Sequence, residues 1–192
     1  MSEPTYFHKS GKVLHLDGDN NYLEMCLEKY RSFNMDIIGK CIPEKEQPLK
    51  IRELLLTHKP DILVLTGHDG VLKGDNYLNI ENYRNSKYFV ASVKEARKLE
   101  NCKDSLVIFA GACQSLYKDI IDAGANFASS PYRVLIHALD PVFVCQKISF
   151  SSANTLVKPL EIVKSTLTGS KGIGGIETRG QYREGYPADP YK

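Results

Sequence analysis

The sequence predicts a doubly wound α/β domain: a mostly parallel sheet with helices on both faces. Two observations lead there. Short apolar runs alternate with segments of helical spacing from residue 12 onward. The strongest runs, Ile62-Leu63-Val64-Leu65 and Leu106-Val107-Ile108-Phe109-Ala110, lack polar alternation, as expected of strands covered on both faces.

The first strand is Lys12-Val13-Leu14-His15-Leu16, stopped by the turn-rich Asp17-Gly18-Asp19-Asn20-Asn21. Residues 22–33 place Leu23, Cys26, Leu27 and Tyr30 on one helical face. Residues 36–42 read as a second strand and 48–58 as a second helix, with Leu54-Leu55-Leu56 on its buried side. The run at 62–65 ends in Thr66-Gly67-His68-Asp69-Gly70, and a polar loop leads to a helix over 86–100. The run at 106–110 ends in Gly111-Ala112-Cys113-Gln114-Ser115, followed by a helix through Ile120-Ile121 that stops at Gly124. Asn126–Ser130 reads as a short fifth strand, Val142–Phe150 as a sixth strand or hairpin arm, and 155–167 as a last helix. Residues 1–168 form one domain in this reading, and the Gly- and Tyr-rich 169–192 a tail packed on its surface.

A formal net charge of +2 with interspersed acids and bases gives no field aimed at nucleic acid or an anionic membrane. No apolar run reaches 18 residues, so no membrane span is expected, and no secretory signal is visible. The five cysteines, at 26, 41, 102, 113 and 145, include no C-x-x-C pair, which points to reduced thiols in a cytosolic setting. No cofactor or metal is expected. Asp17, Asp19, Asn21 and Glu28 fall at positions 1, 3, 5 and 12 of a calcium loop, but Tyr22 stands where such a loop needs glycine. Gly172-Ile173-Gly174-Gly175 lacks the Lys-Ser/Thr ending of a phosphate loop.

Chemistry in open parallel sheets gathers beyond the carboxyl ends of the strands. Two of the strongest strands end there in a histidine and a cysteine with small neighbours: His68 between Gly67 and Gly70, and Cys113 after Gly111-Ala112. Small flanks let a substrate backbone approach closely. A helix just beyond Cys113 and a nearby imidazole would favour its thiolate, and His68 is the natural general acid and base. His137 is the rival base, since Gly111-Ala112-Cys113-Gln114-Ser115 also resembles the nucleophile elbow of glutamine amidotransferases. His8, His15 and His58 show no partner, and Cys26, Cys41, Cys102 and Cys145 read as inert. A non-catalytic ligand- or partner-binding module is the alternative from another class.

A strand ending in His and Gly, followed by one ending in Ala-Cys, resembles the caspase, legumain, gingipain and clostripain group of cysteine peptidases. The spacing is close to the roughly 50 residues of the caspase signature. The closer resemblance is to the YabG family of sporulation-specific peptidases. It rests on Leu-Thr-Gly-His-Asp-Gly (65–70), Phe-Ala-Gly-Ala-Cys-Gln-Ser (109–115), Ala-Ser-Ser-Pro (128–131) and Gly-Gly-Ile-Glu-Thr (174–178). It covers nearly the whole chain and corresponds to that family's protease region without its N-terminal part.

The resemblance implies a caspase-like three-layer α/β/α fold and a cysteine endopeptidase with Cys113 as nucleophile and His68 as acid and base. It also implies limited proteolysis of spore coat and germination proteins after Arg or Lys, in the sporulating mother cell or the spore coat. In the wider group a glycine directly follows the histidine and its N–H helps to form the oxyanion hole. Here Asp69 intervenes, so the donor beside the Cys113 N–H is either Gly70 or Asp69. A basic substrate side chain needs an acid partner. Gly111 stands where the clostripain-like enzymes carry one, so Asp140 is expected to replace it, with Asp17 and Asp19 as the other candidates.

Overall fold

The computed structural model describes residues 5–72, 74 and 76–191. The first half of the chain builds β1 (Phe7–Lys9), β2 (Val13–Asp17), α1 (Asn20–Ser32), β3 (Ile37–Cys41), α2 (Gln47–His58) and β4 (Ile62–Thr66). An irregular loop then leads to α3 (Ser86–Leu99), β5 (Val107–Ala110), α4 (Tyr117–Asp122) and β6 (Phe127–Ser129). The remainder forms α5 (Asp140–Ser149), β7 (Leu156–Val157), α6 (Pro159–Val163), β8 (Ile173–Gly175), β9 (Thr178–Arg179) and β10 (Arg183–Gly185).

Six strands make the central sheet in the order β3-β2-β4-β5-β6-β8, with every neighbour parallel except β8, which runs against β6. Alternate strand residues feed two separate cores. Val13, Ile62, Val64, Val107 and Phe109 pack with Leu23, Leu27 and Tyr30 of α1 and with Val142 and Ile148 of α5. Leu14, Leu63, Leu65, Ile108 and Ala110 pack on the other face with Ile51 of α2, Phe89 and Val93 of α3, and Ile120 of α4. This is the expected doubly wound, three-layer arrangement. The chain steps from β2 outward to β3 and then back across to β4, so the winding reverses between β2 and β4. In such sheets that reversal opens a crevice at the strands' carboxyl ends.

The second half departs from the periodicity reading. Residues 140–149 are a helix rather than a strand. Pro141 sits in its first turn, where a missing N–H costs nothing, and Val142, Cys145 and Ile148 share its buried stripe. Only 159–163 of the expected last helix is helical, and Leu156-Val157 pairs with β9 instead. The glycine-rich tail supplies β8, the antiparallel edge of the main sheet, and β10, which pairs with β1. A side chain at 175 would place its Cβ 2.3 Å from the Phe127 ring and 2.5 Å from the Asn126 carbonyl, so only glycine fits that edge.

One buried cation ties the far ends of the strands together. Arg97 of α3 donates from Nε to the Gly124 carbonyl at 2.8 Å, from Nη1 to the Leu106 carbonyl at 2.9 Å, and from Nη2 to Asn126 Oδ1 at 2.9 Å. Burial pushes the guanidinium down to about 10, which leaves it protonated at neutral pH. Removing it would strand several buried acceptors at once. Arg97→Met is therefore expected to lower unfolding free energy by about 3 kcal/mol, read as a shifted urea midpoint with an unchanged slope.

Candidate active site

Strand register brings the two chemical residues together. Leu65 of β4 pairs with Ala110 of β5 in parallel, and His68 and Cys113 each lie three residues beyond that pair. Both side chains line one pocket of about 290 Å³ at the crevice edge, along with Asp17, Thr66, Asp69 and His137.

The His68 turn is held from several sides. Its N–H donates to Glu44 Oε1 at 2.6 Å, and its carbonyl accepts from Asn85 Nδ2 at 2.7 Å. Glu44 lies so close over the strand ends that a Cβ at position 67 would come within 2.2 Å of its carboxylate and one at position 18 within 2.4 Å. The imidazole is half exposed and rests edge-on against Tyr22, with ring centroids 5.4 Å apart. Its Nε2 is 2.8 Å from Asp19 Oδ2. In the neutral ring this contact places the proton on Nε2 and leaves Nδ1 as the basic nitrogen.

Asp19 serves two partners, because its Oδ1 also caps α1 by accepting from the N–H groups of Asn21 at 2.8 Å and Tyr22 at 3.2 Å. The His68 hydrogen bond first, and the Tyr22 N–H second, hold the Asp19 carboxyl below the usual value. Sequence reasoning offers Asp19 as a candidate acid for a basic substrate side chain and misses its contact with His68. The local signal was an Asp-x-Asp turn at a strand end facing a strand-end histidine.

Cys113 is partly buried, and its Sγ accepts from the Ile136 N–H at 3.3 Å. The short helix α4 begins only at Tyr117, so the thiol does not sit at a helix N-terminus as expected. The intervening turn is tight: the Ala112 N–H donates to Ser115 Oγ at 2.9 Å, and Gln114 takes a left-handed φ of 59°. The Gln114 N–H is held by the Val134 carbonyl and Ser130 Oγ, both at 3.1 Å. Among the described residues no hydrogen bond joins His68 to Cys113.

The oxyanion expectation for Gly70 needs correction. Its N–H donates to Asp69 Oδ1 at 2.8 Å, which removes it as a donor to substrate. The N–H groups of Asp69 and Cys113 have no acceptor among the described residues, and both residues line the pocket. The Asp69 carboxylate also accepts from the Asn85 N–H at 2.8 Å, Ser86 Oγ at 2.5 Å and Ser115 Oγ at 2.7 Å.

Asp17 lies in the wall of the same pocket, 4% exposed. Its Oδ2 accepts from the Thr66 hydroxyl at 2.6 Å, and its Oδ1 from the Asp19 N–H at 2.7 Å. Burial alone would raise its pKa. Contact with His15 at 3.7 Å, together with the Thr66 and Asp19 bonds, outweighs this and holds the carboxyl below its ordinary value. Thr66 has one hydroxyl proton, which the ionised Asp17 takes, so His15 donates from Nε2 to Thr66 Oγ1 at 2.6 Å. His15 is therefore not a partnerless residue: its Nδ1 also meets the Tyr30 hydroxyl at 3.1 Å, and the chain of contacts runs from the core to the pocket.

Asp140 stands elsewhere. It is fully buried, and the pocket lining does not include it. Oδ1 accepts from the N–H groups of Leu167 at 2.7 Å and Thr168 at 3.2 Å, while Oδ2 accepts from the His137 N–H at 3.1 Å and the Thr168 hydroxyl. These contacts pin the turn entering α5 to the segment after α6. His137 reaches the pocket, but its Nδ1 accepts from the Leu139 N–H at 3.1 Å. The neutral ring then carries its proton on Nε2, with Nδ1 already engaged as an acceptor.

The model of the family described as YabG peptidase U57 matches residues 1–187. The chain belongs to the YabG peptidase family. The sporulation-specific protease YabG of Bacillus subtilis (strain 168) is 51% identical over 183 residues, covering 95% of this chain and 63% of that protein. The chain thus spans a little under two thirds of that YabG relative's length.

The four bonds at Asp140 generate an expectation for this YabG-family domain. In Asp140→Asn an amide would face the His137 N–H and the Thr168 hydroxyl, setting donor against donor. Thermal melts should show a loss of about 2 kcal/mol. Peptide cleavage rates per folded molecule should remain those of the wild type.

Proposed function

We propose that this domain is a cysteine endopeptidase in which Cys113 is the nucleophile and His68 the general acid and base. The observation that carries the reading is the equal offset of the two residues from one paired position on adjacent parallel strands, across a single pocket. Family membership supports the reaction class.

The thiol gives its proton to His68 Nδ1, and Sγ attacks the scissile carbonyl. The resulting imidazolium is favoured by the Asp19 carboxylate on Nε2. Charge gathers on the carbonyl oxygen, where the N–H groups of Cys113 and Asp69 can receive it. Collapse of the adduct breaks the C–N bond, His68 returns the proton to the departing amine, and a thioester remains. Water, deprotonated by the same imidazole, then hydrolyses the thioester and restores the thiol.

The substrate side chain before the cut is proposed to be Arg or Lys, met by Asp17. A desolvated carboxylate kept ionised in a pocket wall is suited to a guanidinium or ammonium group. Asp140, enclosed by its turn contacts, is the weaker candidate. The physiological substrates are proposed to be spore coat and germination proteins, cleaved in the mother cell or on the coat. The amidotransferase-like alternative would need His137 as base, and the Leu139 N–H on its Nδ1 argues against that use.

Cys113→Ala is expected to abolish peptide hydrolysis with an unchanged melting temperature. His68→Ala should lower kcat by about 10³-fold, within the usual range for a lost acid–base group, while His137→Ala stays within a few-fold of wild type. Turnover retained by Cys113→Ala, or an inverted order of the two histidines, would end the proposed pairing. Asp17→Asn should reduce kcat/KM on arginyl peptides by about 100-fold or more, while neutral peptides change little. An undiminished arginine preference in that variant would exclude Asp17 as the acid.

A further inference from the structure

One carboxylate in the site has no part in the steps above and yet is bonded to both the His68 turn and the Cys113 turn. Asp69 takes two hydrogen bonds on each oxygen. Oδ1 receives the N–H groups of Gly70 and Asn85, both at 2.8 Å, and Oδ2 receives the hydroxyls of Ser86 at 2.5 Å and Ser115 at 2.7 Å. Both serines are fully buried. Each of them also accepts a backbone N–H from the cysteine loop: Ser115 Oγ from Ala112 at 2.9 Å, and Ser86 Oγ from Leu116 at 2.8 Å.

We propose that Asp69 is a positioning residue whose carboxylate sets both halves of the oxyanion hole, by clamping the His68 turn to the Cys113 turn through Ser115 and Ser86. The inference rests on the peptidase reading above and deepens it.

On the histidine side, the carboxylate binds the N–H of the very next residue, which turns the peptide so that the Asp69 N–H is left without an internal acceptor. On the cysteine side, Ser115 draws the Ala112 N–H inward. The next N–H in the chain, that of Cys113, is again left unclaimed among the described residues. Two N–H groups from two strands thus owe their availability to one side chain. An aspartate directly after the histidine then has a physical purpose. Its backbone provides the donor and its side chain holds that donor in register with the partner loop.

Polarity is essential to this clamp. Both serine oxygens already accept an N–H, so each hydroxyl proton needs an acceptor. Asp69→Asn keeps one oxygen but turns an NH₂ toward the two hydroxyls and orphans both protons. The donors should then drift from the position of the developing oxyanion, while Cys113 and its contact with Ile136 remain.

The test compares a reaction that needs the oxyanion hole with one that does not. Alkylation of Cys113 by iodoacetamide forms no tetrahedral oxyanion, whereas peptide hydrolysis and capture of a peptide aldehyde do. In Asp69→Asn, kcat should fall by about 100-fold, and the peptide aldehyde should bind about 100-fold more weakly. KM and the alkylation rate should stay within about three-fold of wild type. Ser115→Ala should show the same split at about ten-fold, and it carries the test should circular dichroism show Asp69→Asn to be unfolded. A folded variant with kcat near wild type overturns the proposal, as does a parallel fall in alkylation, hydrolysis and aldehyde binding. Failure of the underlying reading looks different: hydrolysis by the wild-type chain would then persist in Cys113→Ala, whatever the Asp69 variants do.

Discussion

Parallel pairing of β4 with β5, from Ile62 on Val107 to Leu65 on Ala110, is the constraint on which the site depends. Every residue of both strands is buried, with side chains alternating between the two cores. A slip of one residue would send each apolar side chain to the opposite face, where it meets a differently shaped layer of helices. The two cores therefore lock the register, and the register sets how far beyond the sheet each strand delivers its last residues. His68 and Cys113 face one pocket because the strands beneath them cannot slide.

Above that platform, carboxylates divide the work by what surrounds them. Asp19 is partly exposed and bonds to His68 while capping α1. Asp17, two residues earlier, is buried and kept ionised by His15, Thr66 and a backbone N–H, an anion built into the pocket wall. Glu44 sits over Gly18 and Gly67 and fixes the backbone of His68. Asp140 is a carboxylate of the same type enclosed in the fold, with both oxygens engaged by neighbouring turns. Burial and hydrogen-bond geometry, rather than residue type, separate the acids that stand at the pocket from the one enclosed by turns. Where the winding reverses between β2 and β4, Asp17 and Asp19 come to stand beside the histidine turn.

Much of this was legible along the chain. The first four strands of the main sheet, the alternation of helices and the two strand-end residues all follow from local apolar periodicity, because each buried strand or helix face is written into neighbouring positions. The second half was harder to read. Val142–Phe150 is apolar enough for a strand, and its helical form depends on a Pro141 start and on packing against α1. The tail's strand β8 has too few side chains to show a period, and it forms only because glycines let it approach β6 closely.

The amino-acid sequence by itself determined the fold class and the family and placed His68 and Cys113 at the ends of two buried strands, since each depends on patterns within a few residues of one another. Tertiary structure alone decided the partnerships. Asp19 meets His68 across 49 residues and Ser115 meets Asp69 across 46, separations at which no local pattern constrains a side chain. The same holds for the burial of Asp140 and for the capture of the Gly70 N–H by Asp69. A hydrogen bond depends on angstroms and angles, and those come into being only when distant segments are packed against a common sheet.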